Sequence, residues 1–568
     1  MEKLFLKING NEIEVEPGLT VLQVAKSFGI DIPTLCHHDQ LSPIGACRLC
    51  VVETKQGTLQ PACTLPATQG LEVETESPRV VEARKFILNL LFAERNHYCM
   101  FCEASGDCEL QNMGYRYGID HFAFSPYQTK FPTDFSHKYI LLEHNRCILC
   151  RRCIRACSDL AGHYVLGMVN RGAHTMLSPD MESPLKASSC VSCGACAQVC
   201  PTGSLADKIG AFRGKADEMT KTKSVCANCS VGCGILAFTK ANHLIKIWGE
   251  WESPVNHGIL CELGRFSPLN EKRKRVLQPI IRQEGRREVI SYQDAIKKAT
   301  QKLKEAKNPG GIISPKTTNE ALEAFNILFS TSLQSKNTGL MESYNEKAVK
   351  LSADGCLEDI LIANAVVLYK VDPSTSHGVV ASWVKKAVTK GAYLYIVTDE
   401  ENSLSFYATE TFKTSEADKL VNTLENSKKV VVILNPQVES ADLEILKKVK
   451  AVFLPLYKSA NSLGAIKKGL NGFFEKSDVA LIVASDFSGD GNLLASLQDV
   501  SYLIVISNFV SPLTERANLI IPSATWLETS GTFTNLEGKT QDVSSIMEAP
   551  EGVKTDKAII EDFMKALG

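Results

Sequence analysis

The chain has 568 residues, too many for one ordinary core, so several domains are expected. Its 62 Lys and Arg against 64 Asp and Glu leave a net charge of −2, which gives no electrostatic case for nucleic acid or an anionic membrane surface. No stretch approaches about eighteen consecutive apolar residues, and the opening MEKLFLKINGNEIEVEPG has neither a signal-peptide core nor a twin-arginine motif, so a cytoplasmic protein without direct membrane insertion is expected.

In chain order, residues 1–35 read as a small sheet with a helix: LFLKING, a turn, EIEVEPG, then the helical TVLQVAKSFG. Cysteines follow at once. Of the 20, 19 lie between Cys36 and Cys261 and only Cys356 lies beyond. A disulfide framework needs an oxidising compartment, and nothing in this N-terminus addresses one, so all 19 are read as metal ligands. Cys36, Cys47, Cys50 and Cys63 are spaced C-x10-C-x2-C-x12-C; four thiolates satisfy a [2Fe–2S] rhomb, and Gly45 and Ala46 let the backbone approach the sulfurs and donate N–H groups. A zinc site is the alternative for this spacing. His37 and His38 adjoin Cys36 but face a ligand set already complete, and read as surface or supporting groups.

From Glu82 the pattern turns helical and runs into HYCMFCEASGDC. Cys99, Cys102 and Cys108 supply three thiolates where a cubane needs four ligands. His97 is read as the fourth, with His121 and His144 in reserve, and a packing histidine as the alternative.

Next come CILCRRCIRAC and CVSCGACAQVCP, each C-x2-C-x2-C-x3-C. Three thiolates two residues apart wrap three corners of one cube, and the helix that follows carries the fourth to the other cube. Cys147, Cys150, Cys153 and Cys200 are therefore assigned to one [4Fe–4S] cluster, and Cys190, Cys193, Cys196 and Cys157 to its partner. Zinc usually takes two separated ligand pairs, not four thiolates within one short segment. Cys226, Cys229, Cys233 and Cys261 follow in the different spacing C-x2-C-x3-C-x27-C, read as a last cubane set on the resemblance of the surrounding segment given below.

Beyond it, the basic run EKRKRVLQPIIRQEGRREV lacks interleaved aromatics and reads as a solvated connecting loop. The apolar runs AVVLYKV, AYLYIVTD, KVVVILN, AVFLPLY, VALIVASD and YLIVISNFV alternate with helical segments and predict a parallel sheet covered on both faces. No GxGxxG or GxxxxGK[ST] occurs.

These ligand sets resemble those of the G-type subunits of complex I (NADH dehydrogenase), a family also found in NAD-linked hydrogenase and electron-bifurcating complexes. The front segment resembles the β-grasp [2Fe–2S] domain of that family. PVNHGILCELGRF and TERANLIIPSATWLETSGTFTNLEGKTQ resemble the cluster domain and the end of the core of molybdopterin oxidoreductases. The resemblance implies a multidomain α+β and α/β chain: a β-grasp [2Fe–2S] domain at 1–78, a His/Cys3 [4Fe–4S] domain at 79–120, a two-[4Fe–4S] ferredoxin domain at 138–210, a molybdopterin-oxidoreductase-type [4Fe–4S] domain at 220–275 and an α/β domain at 276–568. In the family the histidine stands four positions before the first cysteine of its site, a place held here by Arg95, with His97 two before.

One [2Fe–2S] and four [4Fe–4S] clusters are expected, with no residue of the chain catalytic by itself. Leu263 stands where related formate dehydrogenases place a pterin-facing lysine. Cys356 falls outside the family's metal-ligand loop, and the closing domain of a pterin enzyme is not expected after Gly568; no molybdopterin is therefore expected. The function implied is that of an electron-transfer subunit. Its implied partners are a flavin- and NADH-binding subunit of the F type, a thioredoxin-like [2Fe–2S] subunit of the E type, and a further redox subunit or ferredoxin. The complete second cubane set favours hydrogenase-linked or bifurcating relatives over proton-pumping ones. A molybdenum- or tungsten-dependent formate dehydrogenase is the competing reading, and an [FeFe]-hydrogenase catalytic subunit is excluded by the single cysteine left over.

Overall fold

The computed structural model describes residues 3–121, 123–125, 130–283, 285–351, 355–472, 474–487 and 491–568. It divides into two compact units, Met1–Thr220 and Lys221–Gly568.

In the first unit, β1 (Leu4–Ile8) and β2 (Asn11–Val15) pair with Ile8 opposite Asn11, so the turn is Asn9-Gly10 alone. Both turn residues have positive φ, 52° and 77°, which is the hairpin geometry that Asn-Gly tolerates best. Leu6, Ile8, Ile13 and Val15 alternate inward beneath α1 (Val21–Ser27). Thr20 caps that helix by accepting from the Gln23 amide, while the Gln23 side chain accepts from the Thr20 amide. With β3 (Val51–Thr54), β4 (Leu59–Pro61) and β5 (Glu72–Glu74) the sheet runs β2-β1-β5-β3-β4, and Cys50 and Cys63 belong to its core.

Ser77 caps α2 (Pro78–Glu94), with proline in the first helical position where its missing N–H costs nothing. Arg84 on this helix is fully buried and donates to Glu76 (2.8 Å), the Tyr117 hydroxyl (3.0 Å) and the Val51 carbonyl (2.8 Å), tying α2 to β3. Cys108 caps α3 (Glu109–Arg116). A second apolar core gathers Leu35, Leu49, Leu88, Phe92, Leu110 and Ile148 around Cys36, Cys47, Cys108 and Cys150, so three cysteine-bearing segments share one interior. The rest of the unit holds β6 (Thr133–Asp134), β7 (Ile140–Glu143), α4 (Arg152–Arg155), the hairpin β8 (Leu166–Val169) and β9 (Met176–Pro179), α5 (Ala195–Gln198) and β10 (Leu205–Asp207), with sheet order β10-β7-β6.

The second unit opens with the three-stranded sheet of β11 (Thr220–Val225), β12 (Gly234–Lys240) and β13 (His243–Gly249). There follow β14 (Ile280–Gln283), β15 (Arg286–Val289), β16 (Pro309–Ile313), β17 (Thr338–Leu340), β18 (Ala365–Tyr369), β19 (Tyr393–Val397), β20 (Glu410–Phe412), β21 (Val430–Leu434), β22 (Val452–Pro455), β23 (Val479–Ser485), β24 (Tyr502–Ser507) and β25 (Leu519–Pro522). The apolar runs do not make one sheet. β18, β19, β21 and β22 join β20 in a parallel sheet of order β20-β19-β18-β21-β22. β23 and β24 enter a separate sheet, β15-β14-β25-β24-β23-β16-β17, whose β14 and β15 edge is antiparallel. A strand apolar on both faces specifies burial, not its neighbour, so the runs alone could not divide the two sheets.

The basic run also departs from expectation. Arg273 pairs with Glu271 (2.6 Å) and Asp486 (2.8 Å) and lies 4.1 Å over the Phe509 ring, while Arg275 forms a two-pronged pair with the buried Glu528 (2.8 and 3.0 Å). The run continues into β14 and β15 instead of remaining a solvated loop. No helix among the described residues is long and apolar enough to cross a membrane.

Candidate iron–sulfur sites

The loop from α1 to β3 carries Cys36, Cys47 and Cys50, and Cys63 follows β4. All four thiols are buried. They touch one another as free thiols: Cys36 is in hydrogen-bond contact with Cys47 and Cys63, and Cys63 with Cys50. The amides of Ala46 and Cys47 point at the Cys36 sulfur, and those of Leu35 and Leu49 at Cys47. Gly45 takes a φ of 62°, and a Cβ there would stand 3.3 Å from Thr64, so the close turn needs glycine. His37 and His38 are half-buried beside this set; burial and Arg152 hold both imidazoles neutral, His38 down to about 4.

One cavity is lined by His97, Cys99, Cys102 and Cys108, together with Gln111, Arg146 and Thr202. The His97 ring packs edge-on to Phe92 at 5.8 Å, and one ring nitrogen bonds the Leu91 carbonyl. Its Nε2 is buried and has no hydrogen-bond partner. Burial first, then the Arg146 guanidinium, push its pKa down to about 4, leaving a neutral imidazole in the cavity that the three thiols line. Gly203 closes the cavity, since a Cβ there would fall 2.6 Å from the Cys102 sulfur. Arg95 is buried, lies 3.6 Å over the Phe131 ring and donates to the Thr175 carbonyl at 2.6 Å. His121 is exposed and bonded to Asp120, and His144 does not line the cavity. Of the three histidines, His97 lines the cavity of all three cysteines, while His121 lines a neighbouring cavity with His97 and Cys99.

In the tandem motif the two loops repeat one conformation: Leu149 and Arg151 have φ of 53° and 58°, and the corresponding Ser192 and Gly194 have 58° and 71°. Left-handed backbone at non-glycine residues is costly, and it turns amides inward; the Leu149 N–H donates to the Cys147 sulfur at 3.4 Å. α4 and α5 then carry Cys157 and Cys200 away from their own loops. Cys150 and Cys153 feel the charge of Cys147 and Cys200, whereas Cys196 feels Cys193, Cys190 and Cys157 ahead of Cys200. The fourth thiol of each motif thus lies with the three of the other. The two groups adjoin through Cys153 and Cys196. Cys108 in turn feels Cys200, and the Glu109 amide donates to the Pro201 carbonyl at 2.9 Å.

In the second unit, Cys226, Cys229 and Cys233 lie between β11 and β12, and Cys261 precedes the short helix Glu262–Arg265. Burial and their mutual repulsion push these thiols up, and Asn228 donates to Cys226 at 3.5 Å. Gly264 lets the backbone approach, its added Cβ lying 3.3 Å from the Cys226 sulfur. The carboxyl ends of β16, β23 and β24 open on a crevice lined by Asn228, Arg273, Lys316, Lys458, Asp486 and Phe509, where the sheet order reverses between β16 and β23. No thiol lines it; Cys356 bonds Asp359 at 3.2 Å, and that carboxylate is paired with Lys429 at 2.7 Å. The donor set there does not fit a thiolate-held molybdenum. Among the described residues no group of three or more His, Cys, Asp or Glu side chains is arranged to hold a single metal ion.

Residues 2–78 match the 2Fe-2S iron-sulfur cluster binding domain family, 84–122 the NADH-ubiquinone oxidoreductase-G iron-sulfur binding region and 138–206 the NADH-quinone oxidoreductase subunit 3 ferredoxin-like domain. Residues 219–269 match the molybdopterin oxidoreductase Fe4S4 domain and 458–566 the molybdopterin oxidoreductase family. NADH-ubiquinone oxidoreductase 75 kDa subunit of Reclinomonas americana is 24% identical over 99% of this chain and 88% of its own length. These matches make the chain similar to the G-type subunits of complex I. The second NADH-quinone oxidoreductase G subunit of Rhizobium meliloti (strain 1021) is 33% identical over 64% of the chain, which spans only 42% of that relative. NADPH-Fe(3+) oxidoreductase subunit alpha of Geobacter sulfurreducens is 28% identical over 86% of the chain and 60% of its own length.

The sequence carried a signal for the cysteines but little for the cations around them. Arg95, Arg152 and Arg155 are buried, and Lys316 acts on Cys226 and Cys229. The one available signal was CILCRRCIRAC itself, where charged spacers stand between residues that must all be enclosed.

Proposed function

We propose that the chain is the iron–sulfur electron-transfer subunit of an NADH-linked complex, holding one [2Fe–2S] and four [4Fe–4S] clusters and no molybdopterin. The observation that carries this reading is the grouping of the thiols: Cys36, Cys47, Cys50 and Cys63; Cys147, Cys150, Cys153 and Cys200; Cys157, Cys190, Cys193 and Cys196; Cys226, Cys229, Cys233 and Cys261; and His97 with Cys99, Cys102 and Cys108. Such clusters, when bound, take up and release one electron at a time. The chain's own part is to ligate, to aim backbone N–H groups at the sulfurs, to exclude water, and to keep the sites close, since electron tunnelling fades steeply with distance. The adjacency of Cys108 to Cys200 and the apolar interior shared by Cys36, Cys108 and Cys150 support a relay through the first unit.

A flavin-bearing F-type partner that splits hydride into single electrons is the proposed donor or acceptor. An E-type [2Fe–2S] partner and a further redox subunit or ferredoxin complete the complex, in a cytoplasmic setting.

Metal analysis of anaerobically loaded protein tests the reading. The expected iron content is about 18 per chain, from 2 + 4 × 4, with molybdenum and tungsten at background. One equivalent of either heavy metal would restore the formate dehydrogenase alternative. His97→Ala is expected to abolish or markedly lower the potential of the cluster on Cys99, Cys102 and Cys108, because imidazole carries no negative charge and whatever replaces it alters that balance. An unchanged EPR signal and potential would remove His97 from the ligand set.

A further inference from the structure

Arg155 ends α4 with only 7% of its surface exposed. Its Nε donates to the Arg151 carbonyl (3.3 Å), one Nη to the Ser42 carbonyl, and the other to the carbonyls of Cys36 (2.5 Å) and Cys150 (3.4 Å). Cys36 belongs to the first thiol set and Cys150 to the set completed by Cys200, so a single guanidinium is bonded to the ligand loops of both. Each of these bonds ends on a carbonyl, which orients the cation but leaves its charge in place. The acid bearing on it, Asp159, is itself engaged by Ser158 at 2.6 Å and Ser42 at 3.3 Å.

We propose that Arg155 is a positioning residue that raises the reduction potentials of the Cys36 and Cys147 sites together. The inference rests on the reading that both sets hold clusters. Adding one electron to either site adds negative charge beside a buried cation, where the low local dielectric makes the attraction strong. The reduced form of both is favoured by the same group, so the two potentials move together. Arginine suits this role because it keeps its charge when buried and its planar fork reaches several acceptors at once. The sites of Cys190, Cys193 and Cys196 and of Cys226 share no such bond with it.

The test is an EPR-monitored redox titration of the full, anaerobically loaded chain carrying Arg155→Met, with Arg155→Lys alongside. At a fixed solution potential the reduced-to-oxidised ratio of both sites is expected to fall about tenfold in the Met variant, equivalent to about 59 mV for one electron. The Lys variant, which keeps the charge, should recover most of that shift, and the other clusters should not move. Should the Met variant fail to load iron, Arg155→Gln keeps an amide donor without the charge and carries the same expected shift. Full iron with both potentials unchanged, or equal shifts in the Met and Lys variants, would overturn the proposal. Absence of any reducible centre on the Cys36 set in the unaltered chain would instead overturn the cluster reading beneath it.

Discussion

Cys157→Ser is expected to remove about four of the roughly 18 iron atoms from the site of Cys190, Cys193 and Cys196, although Cys157 lies in the first motif. Its sulfur feels Cys193 and Cys190, and burial pushes its thiol up to about 12, so in the loaded protein it is held as a thiolate only by iron. Serine at this place offers a harder, far less acidic ligand. Cys200→Ser is the mirror experiment and should empty the set of Cys147, Cys150 and Cys153, which both Cys150 and Cys153 share with Cys200. Iron analysis with site-resolved Mössbauer or EPR spectroscopy reads the result. Should Cys157→Ser empty the Cys147 set instead, the crossed pairing is wrong.

Removing all iron is expected to unfold the first unit while leaving the α/β sheets of the second in place. In the first unit cysteines are part of both apolar cores: Cys50 and Cys63 in one, Cys36, Cys47, Cys108 and Cys150 in the other. The cores around β18 and β23 contain no cysteine. Metal ligation contributes directly to folding free energy, on the order of 10 kcal/mol for a structural thiolate site, so a unit with four of the five proposed clusters stands to lose far more than its net stability. Hydrogen exchange before and after anaerobic chelation should show residues 3–121 and 130–220 losing protection, with Val430–Leu434 and Val479–Ser485 retaining theirs. Equal loss in both regions, or none in the first, would contradict this account.

The front hairpin and helix were legible because they are local: Asn9-Gly10 and the Thr20 cap each lie within a short segment, and local chemistry decides them. The partition of the apolar runs was not legible, because β16 and β23 are neighbours although more than a hundred residues of chain lie between them. Nor were the buried cations. Arg275 finds Glu528 at 253 residues' separation, and Arg155 finds Cys36 at 119; a pattern that scores charge as solvated has no access to such partners. Arg95 shows the converse. It occupies the position where family spacing puts a histidine, and the structure gives that position a cation over Phe131 while His97 faces the thiols.

The proposed exchange of fourth thiols between the tandem motifs has a consequence for synthesis. As the chain leaves the ribosome, Cys36 to Cys63 can close as a set, and His97 to Cys108 after it. Cys147, Cys150 and Cys153 must wait with three thiols until Cys200 has been added, and Cys157 waits for Cys190 through Cys196. A nascent chain halted between Gly162 and Ser189 therefore exposes four thiols with no complete set among them, the stage most open to oxidation or to capture of the wrong metal. On the proposed pairing, both sets are complete only once synthesis has passed Cys200.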